Sequence, residues 1–270
     1  MQWTCWELAL LEVQNLTKDF GGLRAINALD FTLKEGEIVG LIGPNGSGKT
    51  TLFNLITGLL PVTEGHIFFK ENRYDLVHLK PHQITALGIA RTFQNQRLFN
   101  KMTVLENVLV GFHCRTRSGI WGSILRTPAT RKEQKEVKEK AAQLLEIFGT
   151  RLIDKRNDPA WTLSYANRRR LEIARALATY PTLLLLDEPA AGMNPQESRE
   201  LMADIKKIRD HGITILLIEH DMTIVKGICE HVIALDHGVK IAEGTFEEVR
   251  RNEKVIEAYL GRRVGLGKNA

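Results

Sequence analysis

The chain has 270 residues, a formal net charge of +5, and 43% hydrophobic and 26% charged residues. These values are ordinary for a globular protein of one large α/β domain or two small ones, and no apolar run approaches the roughly 20 residues that span a bilayer. The modest charge favours a mildly basic surface over a nucleic-acid partner, and three cysteines far apart (Cys5, Cys114 and Cys229) indicate free thiols rather than disulfides or a zinc site.

The N-terminal part of the chain is predicted to be rich in β-structure. Residues 1–8 lack the basic region and the cleavage site of a signal peptide, so residues 1–10 are predicted to be a short extension before the folded domain. From Leu11 to Val39 the sequence is β-rich, with turn signals at Gly21-Gly22 and at Lys34-Glu35-Gly36. Strands joined by tight turns are therefore expected here.

A glycine-rich loop follows a predicted buried strand at Ile38–Ile42 and precedes a predicted helix at Thr51–Ile56. Its pattern, G-x-x-x-x-G-K-T, is typical of loops that bind a nucleoside triphosphate, because glycines let backbone N–H groups turn toward the phosphates. Lys49 is expected to reach the β- and γ-phosphate oxygens, and Thr50 is expected to offer its hydroxyl to Mg²⁺. The predicted ATP-binding residues of this segment are Gly43, Pro44, Asn45, Gly46, Ser47, Gly48, Lys49, Thr50 and Thr51.

The middle of the chain is predicted to be mostly helical. Pro61 to Gly65 ends the helix after the loop, and His66–Phe69 is predicted to be a short strand. Residues from about Asn95 to Tyr180 follow a helical pattern, which a predicted loop from Ser118 to Pro128 interrupts. The alternating charges of Arg131–Lys140 indicate the solvated face of a helix. A helical block inside an α/β core is therefore expected.

Two carboxylates follow a predicted buried strand at Leu183–Leu186. A carboxylate at the end of such a strand suits Mg²⁺, directly or through water, so Asp187 is predicted to be a metal ligand. Glu188 is placed to orient a water for attack on the γ-phosphate and is predicted to be the general base. Pro189 follows this pair, and the phosphate loop lies far upstream, which argues against a mere strand cap.

Three further residues are expected near the nucleotide. His220 follows a predicted strand at Ile213–Ile218, parallel to the acidic strand, and is expected to reach the γ-phosphate. Gln94 lies where the core meets the helical block and is predicted to bind Mg²⁺ or the attacking water. Phe20 is expected to stack on adenine, an interaction worth about 1–3 kcal/mol per base, with packing in the core as the alternative.

The C-terminal part continues the α/β alternation. A helix is predicted at Gln196–Asp210, and Val232–Leu235 and Val239–Ala242 are predicted to form a hairpin around Asp236-His237-Gly238. After Gly244 the sequence predicts short helices.

These motifs together resemble those of an ATP-binding-cassette (ABC) ATPase over nearly the whole chain. The matching segments are Walker A at 43–50, Gln94, a signature at Leu163-Ser164-Tyr165-Ala166-Asn167 that continues to Leu177, Walker B at 183–188, and His220. The resemblance implies an α/β fold, with a P-loop NTPase (RecA-like) core, an antiparallel β subdomain and an inserted helical signature subdomain. The implied boundaries are 11–261 for the ABC ATPase domain, with the core at about 11–94 and 181–243, the helical subdomain at about 95–180, and a tail at 262–270.

A closer resemblance is to the LivG-type ATPases of branched-chain amino-acid importers. It is carried by Arg91–Gln94, Arg97–Phe99, Met102–Val108, Glu188–Pro195, Ile218–Met222 and Ala258–Gly261. It implies an ATPase that uses ATP and Mg²⁺ to power solute uptake from the cytoplasmic face of the inner or plasma membrane. The ATPases of urea and short-amide importers are very similar, and a lipopolysaccharide-type exporter ATPase or a soluble cassette of translation or DNA repair are further alternatives.

The resemblance also implies partners. In this family two cassettes form a head-to-tail dimer, so Ser164 and Ala166 would contact the nucleotide of the partner cassette. A LivF-like second ATPase, two permease subunits and an external solute-binding protein are expected, with Phe99–Val108 in the groove that docks the permease, and no nucleic acid. Gly usually stands at the position of Ala166, and Gln or Asp at that of Asn167, while Asn194 replaces the usual D-loop Asp. Ala166 adds a Cβ where backbone approaches phosphate closely, and Ser164 would cap the signature helix.

Overall fold

The computed structural model describes residues 9–94, 97–115 and 128–260. They form two compact units: the first contains 9–79 and 216–260, and the second contains the described part of 80–215. The predicted tail at 262–270, most of the predicted loop at 118–128, and Cys5 lie outside the described residues. Within the described part, no helix has the length and apolar character needed to cross a membrane.

The elements alternate between strands and helices along most of the chain. In chain order they are β1 (Ala9–Phe20), β2 (Leu23–Lys34), β3 (Ile38–Ile42), α1 (Lys49–Ile56), β4 (Glu64–Phe69), β5 (Tyr74–Asp75), α2 (Pro81–Leu87), β6 (Ile89–Arg91), α3 (Val104–Gly111), α4 (Pro128–Glu146), α5 (Thr150–Ile153), α6 (Tyr165–Leu177), β7 (Leu183–Asp187), α7 (Pro195–Asp210), β8 (Thr214–Ile218), α8 (Met222–Ile228), β9 (His231–Asp236), β10 (Val239–Gly244), α9 (Phe246–Arg251) and α10 (Glu253–Leu260). Short 3₁₀ turns lie at Leu76–His78, Phe112–Arg115 and Ala160–Thr162.

The first unit contains an antiparallel sheet in the order β2-β1-β4-β5. Val13 pairs with Phe31 on one side and with Ile67 on the other, and all of these side chains are buried. Positive φ angles at Asn15 and Ala28 mark the bulges where the register shifts. The predicted β-rich region is confirmed, although β1 begins two residues before the predicted domain start.

The first unit also contains β3, which pairs in parallel with β9, and the β9–β10 hairpin. Each residue of β3 is buried, as expected for a strand covered on both faces. An apolar cluster beneath the hairpin joins Ile42, Val225, Val249 and Val255, so α8, α9 and α10 pack on this sheet. Cys229, beside this cluster, is a free thiol whose pKa burial raises to about 12.

The second unit places β6 parallel to β7, with Ile89 opposite Leu183. The start of β8 continues this sheet, since the N–H of Thr214 donates to the carbonyl of Thr182 at 3.0 Å. Helices α2 to α7 belong to the same unit, and α3 packs on α6. Residues 132–140 of α4 are exposed or half-buried, which confirms the predicted solvated face. An ion pair joins Lys135 and Glu139 on this face at 4.0 Å.

Candidate active site

The phosphate loop joins β3 to α1 in the first unit, and its backbone accepts only glycine at two positions. Gly43 has φ 149°, and a Cβ there would lie 2.2 Å from the carbonyl oxygen of Leu235. Gly48 has φ 105°, and a Cβ there would lie 2.7 Å from Cδ1 of Ile26. Both positions combine a left-handed backbone with a close neighbour, so the sequence pattern is a steric requirement of this loop.

Lys49 holds its charge inside the loop. The residue is buried, and its Nζ donates to the carbonyl oxygens of Gly43 at 2.8 Å and Pro44 at 2.9 Å, and to Oγ of Ser47 at 3.3 Å. In the described part of the chain, no side chain caps the N-terminus of α1 and no acidic residue lies in its first turn. A cation beside the positive end of a helix dipole fits the phosphates of a nucleotide.

The β1–β2 hairpin lies against the loop and carries Phe20. Ala25 and Ile26 of this hairpin are the neighbours that a Cβ at Gly48 would meet. Phe20 ends β1 with 43% of its surface exposed, and Nζ of Lys18 lies 5.0 Å from the centre of its ring. This exposure argues against the core alternative for Phe20 and is compatible with an aromatic platform for a base.

Tyr259 of α10 contacts the loop, which the sequence did not predict. The N–H of Gly43 donates to the hydroxyl oxygen of Tyr259 at 2.9 Å, and burial raises the pKa of this phenol. A cavity of about 640 Å³ is lined by loop residues 44–47 and by Lys254, Glu257 and Ala258 of the same helix. The only sequence signal was the Ala258–Gly261 match, which carried no role for the tyrosine.

The second unit brings the predicted carboxylates to the end of β7. Asp187 is 3% exposed, and its Oδ2 accepts a hydrogen bond from Nη2 of Arg91 at 2.9 Å in a buried ion pair. Burial lowers the pKa of the Arg91 guanidinium, and the Asp187 carboxylate opposes this shift. Arg91 therefore positions the predicted metal ligand Asp187. The family resemblance at Arg91–Gln94 did not reveal this role.

Gln94 and Glu188 contact each other directly, although they are far apart in sequence. Nε2 of Gln94 donates to Oε2 of Glu188 at 3.1 Å. Glu188 has φ 47°, an uncommon conformation for a residue with a Cβ. Strain of this kind clusters at functional sites, so the geometry supports a functional role for the pair.

The signature helix α6 begins as predicted. Ser164 is its N-cap, and its Oγ accepts a hydrogen bond from the N–H of Asn167 at 3.3 Å. Ala166, in contrast, is only 2% exposed, so its methyl group packs inside the unit instead of projecting outward. The large hydrophobic side chains exposed near this helix start are Trp161 and Tyr165. The buried methyl weakens the expectation that Ala166 crowds a phosphate.

The remaining predicted residues are divided between the two units. His220 is exposed after β8 in the first unit, and its N–H donates to Oε2 of the buried Glu219 at 3.2 Å. Thr50 is exposed in the first unit, whereas Gln94 and Asp187 lie in the second. The described residues contain no group of three or more His, Cys, Asp or Glu side chains with metal-binding geometry. A magnesium ion held largely by phosphate oxygens does not require such a group.

Comparisons with known proteins identify the family. A family model described as "ABC transporter" matches residues 26–191, and one described as "Branched-chain amino acid ATP-binding cassette transporter" matches residues 239–265. The high-affinity branched-chain amino acid transport ATP-binding protein LivG of Salmonella typhimurium is 48% identical over 253 residues, which cover 93% of this chain and 98% of that protein.

Solved structures agree. The ADP conformation of an ATP-binding cassette of an ABC transporter superposes with a TM-score of 0.81 at 34% identity and covers 94% of this chain and 99% of that one. A dimeric post-hydrolysis cassette bound to ADP and Pi gives a TM-score of 0.70 at 26% identity and covers 88% of this chain and 99% of that one. The predicted P-loop NTPase fold of the ABC ATPase type is confirmed.

Proposed function

We infer that this chain, which belongs to the ABC transporter family of ATP-binding cassettes, is the ATP-hydrolysing subunit of an importer for branched-chain amino acids. The observation that carries the nucleotide chemistry is the buried ammonium group of Lys49, held inside a glycine loop at an uncapped helix start. The solute class follows from the C-terminal family match at residues 239–265 and from the names of the LivG relatives.

In the proposed ATP complex, the loop N–H groups and Lys49 bind the β- and γ-phosphates, and Phe20 stacks on adenine. Thr50, Gln94 and Asp187 would supply hydroxyl, amide and carboxylate oxygens, the hard ligands that Mg²⁺ prefers. The bound ion would neutralise negative charge on the phosphate oxygens. Arg91 donates to Oδ2 of the Asp187 carboxylate, and it would share this carboxylate with the metal ion.

For hydrolysis we propose that Glu188 accepts the proton of the water that attacks the γ-phosphorus, while the bond between this phosphorus and the bridging oxygen breaks and ADP leaves. Gln94 donates to Oε2 of Glu188 and thereby orients the carboxylate. His220, exposed at the end of β8, is proposed to hydrogen-bond the γ-phosphate. A positioned general base contributes about 10²–10⁴-fold to a rate, so Glu188 is expected to carry most of the side-chain contribution to turnover.

A second cassette is proposed to complete each nucleotide site. The start of α6 presents exposed Ser164 and Tyr165, and its N-terminus is suited to a phosphate of the partner's nucleotide. A solved relative of this chain is a dimeric cassette. We propose a LivF-like paralogue as the partner, arranged head to tail with this chain.

A groove in the second unit is proposed to dock a permease subunit. It has a volume of about 480 Å³ and is lined by residues that include Ala90, Phe99, Val110 and Arg175. Phe99 is 49% exposed and Val110 is 38% exposed, while the guanidinium of Arg175 lies 5.8 Å from the Phe99 ring. An apolar groove with a cationic edge suits a cytoplasmic loop with an apolar side chain and an acidic or helix C-terminal group.

Solute-stimulated ATPase activity tests the proposed function. The assay reconstitutes the chain in vesicles together with the second ATPase and two permease subunits. This chain is proposed to be peripheral at the cytoplasmic face of the membrane, and the solute-binding protein is added on the outside. Leucine, isoleucine and valine should stimulate ATP hydrolysis, whereas urea and acetamide should not. Stimulation by urea or acetamide alone would replace the amino-acid importer with the urea and short-amide alternative.

A further inference from the structure

Arg169 is a buried arginine of α6 to which the sequence and the family matches give no separate role. Its side chain is 0% exposed. Nη1 donates to the carbonyl oxygen of Phe93 at 2.6 Å, and Nη2 donates to the carbonyl oxygens of Gln94 at 3.1 Å and Glu188 at 3.0 Å. One guanidinium group therefore binds the backbone of both residues proposed to carry hydrolysis.

The contact with Glu188 supports a backbone conformation that is unfavourable by itself. Glu188 has φ 47°, and its carbonyl oxygen accepts from Arg169 and from the N–H of Ala191 at 3.2 Å. A left-handed residue with a Cβ persists only where surrounding contacts hold it. Arg169 thus fixes the direction in which the Glu188 carboxylate leaves the end of β7.

The contact with Phe93 and Gln94 is reinforced by Glu172 of the same helix. Oε2 of Glu172 accepts from Nη1 of Arg169 at 2.9 Å, and Oε1 accepts from the N–H of Phe93 at 3.2 Å. Glu172 is 2% exposed, so its charge is neutralised in the interior by Arg169. The pair binds both the N–H and the carbonyl group of Phe93, which leaves the segment before Gln94 little freedom.

We propose that Arg169 is a positioning residue that couples the signature helix to the hydrolytic pair Gln94 and Glu188. This inference rests on the proposed function, because Ser164 at the start of the same helix would face the partner's nucleotide. Arg169 lies five positions after Ser164, between one and two helical turns away. A small displacement of the helix start would therefore move the guanidinium, a rigid planar group, and with it the backbone of both Gln94 and Glu188. The nucleotide bound by the partner cassette thereby influences the position of Glu188 in this chain.

The test compares two Arg169 variants with a matched control in the assembled transporter. Arg169→Lys keeps the charge with a single donor centre, and Arg169→Gln keeps a planar amide without charge. The control is Asp204→Asn, because Asp204 is a buried carboxylate that pairs with Arg170 of the same helix and contacts neither Gln94 nor Glu188. It lowers stability through a lost buried ion pair without touching the hydrolytic pair.

We expect a loss in kcat with ATP binding retained. A misplacement of reacting groups by about 1 Å costs up to about 100-fold in rate, so Arg169→Gln should lower kcat by about 10- to 100-fold, with Arg169→Lys between it and the wild type. The KM for ATP should stay within about threefold, since the loop around Lys49 is unchanged. A kcat of Arg169→Lys equal to that of the wild type, or an equal loss in Asp204→Asn, would overturn the inference.

Hydrogen-exchange mass spectrometry of the full chain without nucleotide provides a second readout that does not depend on transport. Peptides covering 88–94 and 187–191 should exchange faster in Arg169→Lys than in the wild type, and no faster in Asp204→Asn. Unchanged exchange in both peptides would reject the positioning role. If the wild-type complex fails to hydrolyse ATP in response to branched-chain amino acids, the proposed function fails, while this exchange measurement still judges Arg169.

Discussion

Tyr259→Phe removes one oxygen atom from the structure and tests whether α10 holds the phosphate loop. The hydroxyl accepts the N–H of buried Gly43 at 2.9 Å, and the ring packs in an apolar groove with Met222 and Val255 that phenylalanine also fills. A neutral hydrogen bond contributes about 1 kcal/mol net, and more when a buried donor is left unpaired. Because Tyr259 is 43% exposed, water can replace part of the loss, and about 1 kcal/mol is expected.

This free energy predicts two measurable changes. The melting temperature of the chain should fall by about 2–4 °C. If nucleotide binding must restore the order that the loop has lost, the Kd for ATP in an equilibrium titration should rise by up to about fivefold. The matched control is Tyr180→Phe, since Tyr180 is 48% exposed and its hydroxyl makes no hydrogen bond within the described residues. Equal melting temperatures and ATP affinities for the two variants would refute the role of Tyr259.

Three further predictions concern the phosphate loop, the docking groove and the signature. Lys49→Ala should weaken ATP binding by more than tenfold in the same titration, because a charge-assisted contact with phosphate oxygens is lost; an unchanged Kd would contradict this. Cysteine introduced at Phe99 should cross-link to a cytoplasmic loop of the permease, and the absence of any cross-link in a coupled transporter would remove the groove from the interface. Ala166→Gly should change turnover at the partner's site by less than about threefold, because the methyl group is buried; a larger gain would show that it crowds the phosphate.

Local constraints made the phosphate loop predictable from the sequence. Gly43 and Gly48 have to be glycine because neighbouring atoms leave no room for a Cβ. The phosphate loop can therefore be recognised from a short sequence motif. The strand before the loop was predictable for a similar reason, since each residue of Ile38–Ile42 is apolar or glycine and buried.

Contacts between distant segments were not predictable in this way. The sequence predicted a functional role for Gln94 and for Glu188, but the residues around each of them did not predict the hydrogen bond between the two. The short strand β6 was missed because three residues gain their strand character from pairing with β7 and not from their own pattern. Arg169 was noted only within the segment that continues the signature to Leu177, since burial and backbone partners decide its role and a single sequence shows neither.

The methyl group of Ala166 is a second example of a feature that depends on contacts between distant segments. The family resemblance marks Ala166 as a departure from the usual signature, and a clash with a phosphate was the natural expectation. Its 2% exposure follows from the way α6 packs into the second unit, which depends on helices far away in the sequence. The departure can therefore be accommodated by the interior of the unit.

The most direct test of the central claim is ATP-driven leucine uptake by vesicles that carry the assembled transporter with Glu188→Gln in this chain. Glutamine keeps the size of the side chain and an oxygen that accepts the hydrogen bond of Gln94, so ATP binding should be retained. Loss of a positioned base should lower ATP turnover at this site by about 10²–10⁴-fold and reduce leucine uptake accordingly. Leucine uptake and ATP turnover equal to those of the wild-type complex would contradict the assignment of Glu188 and the proposed role of this chain in driving import.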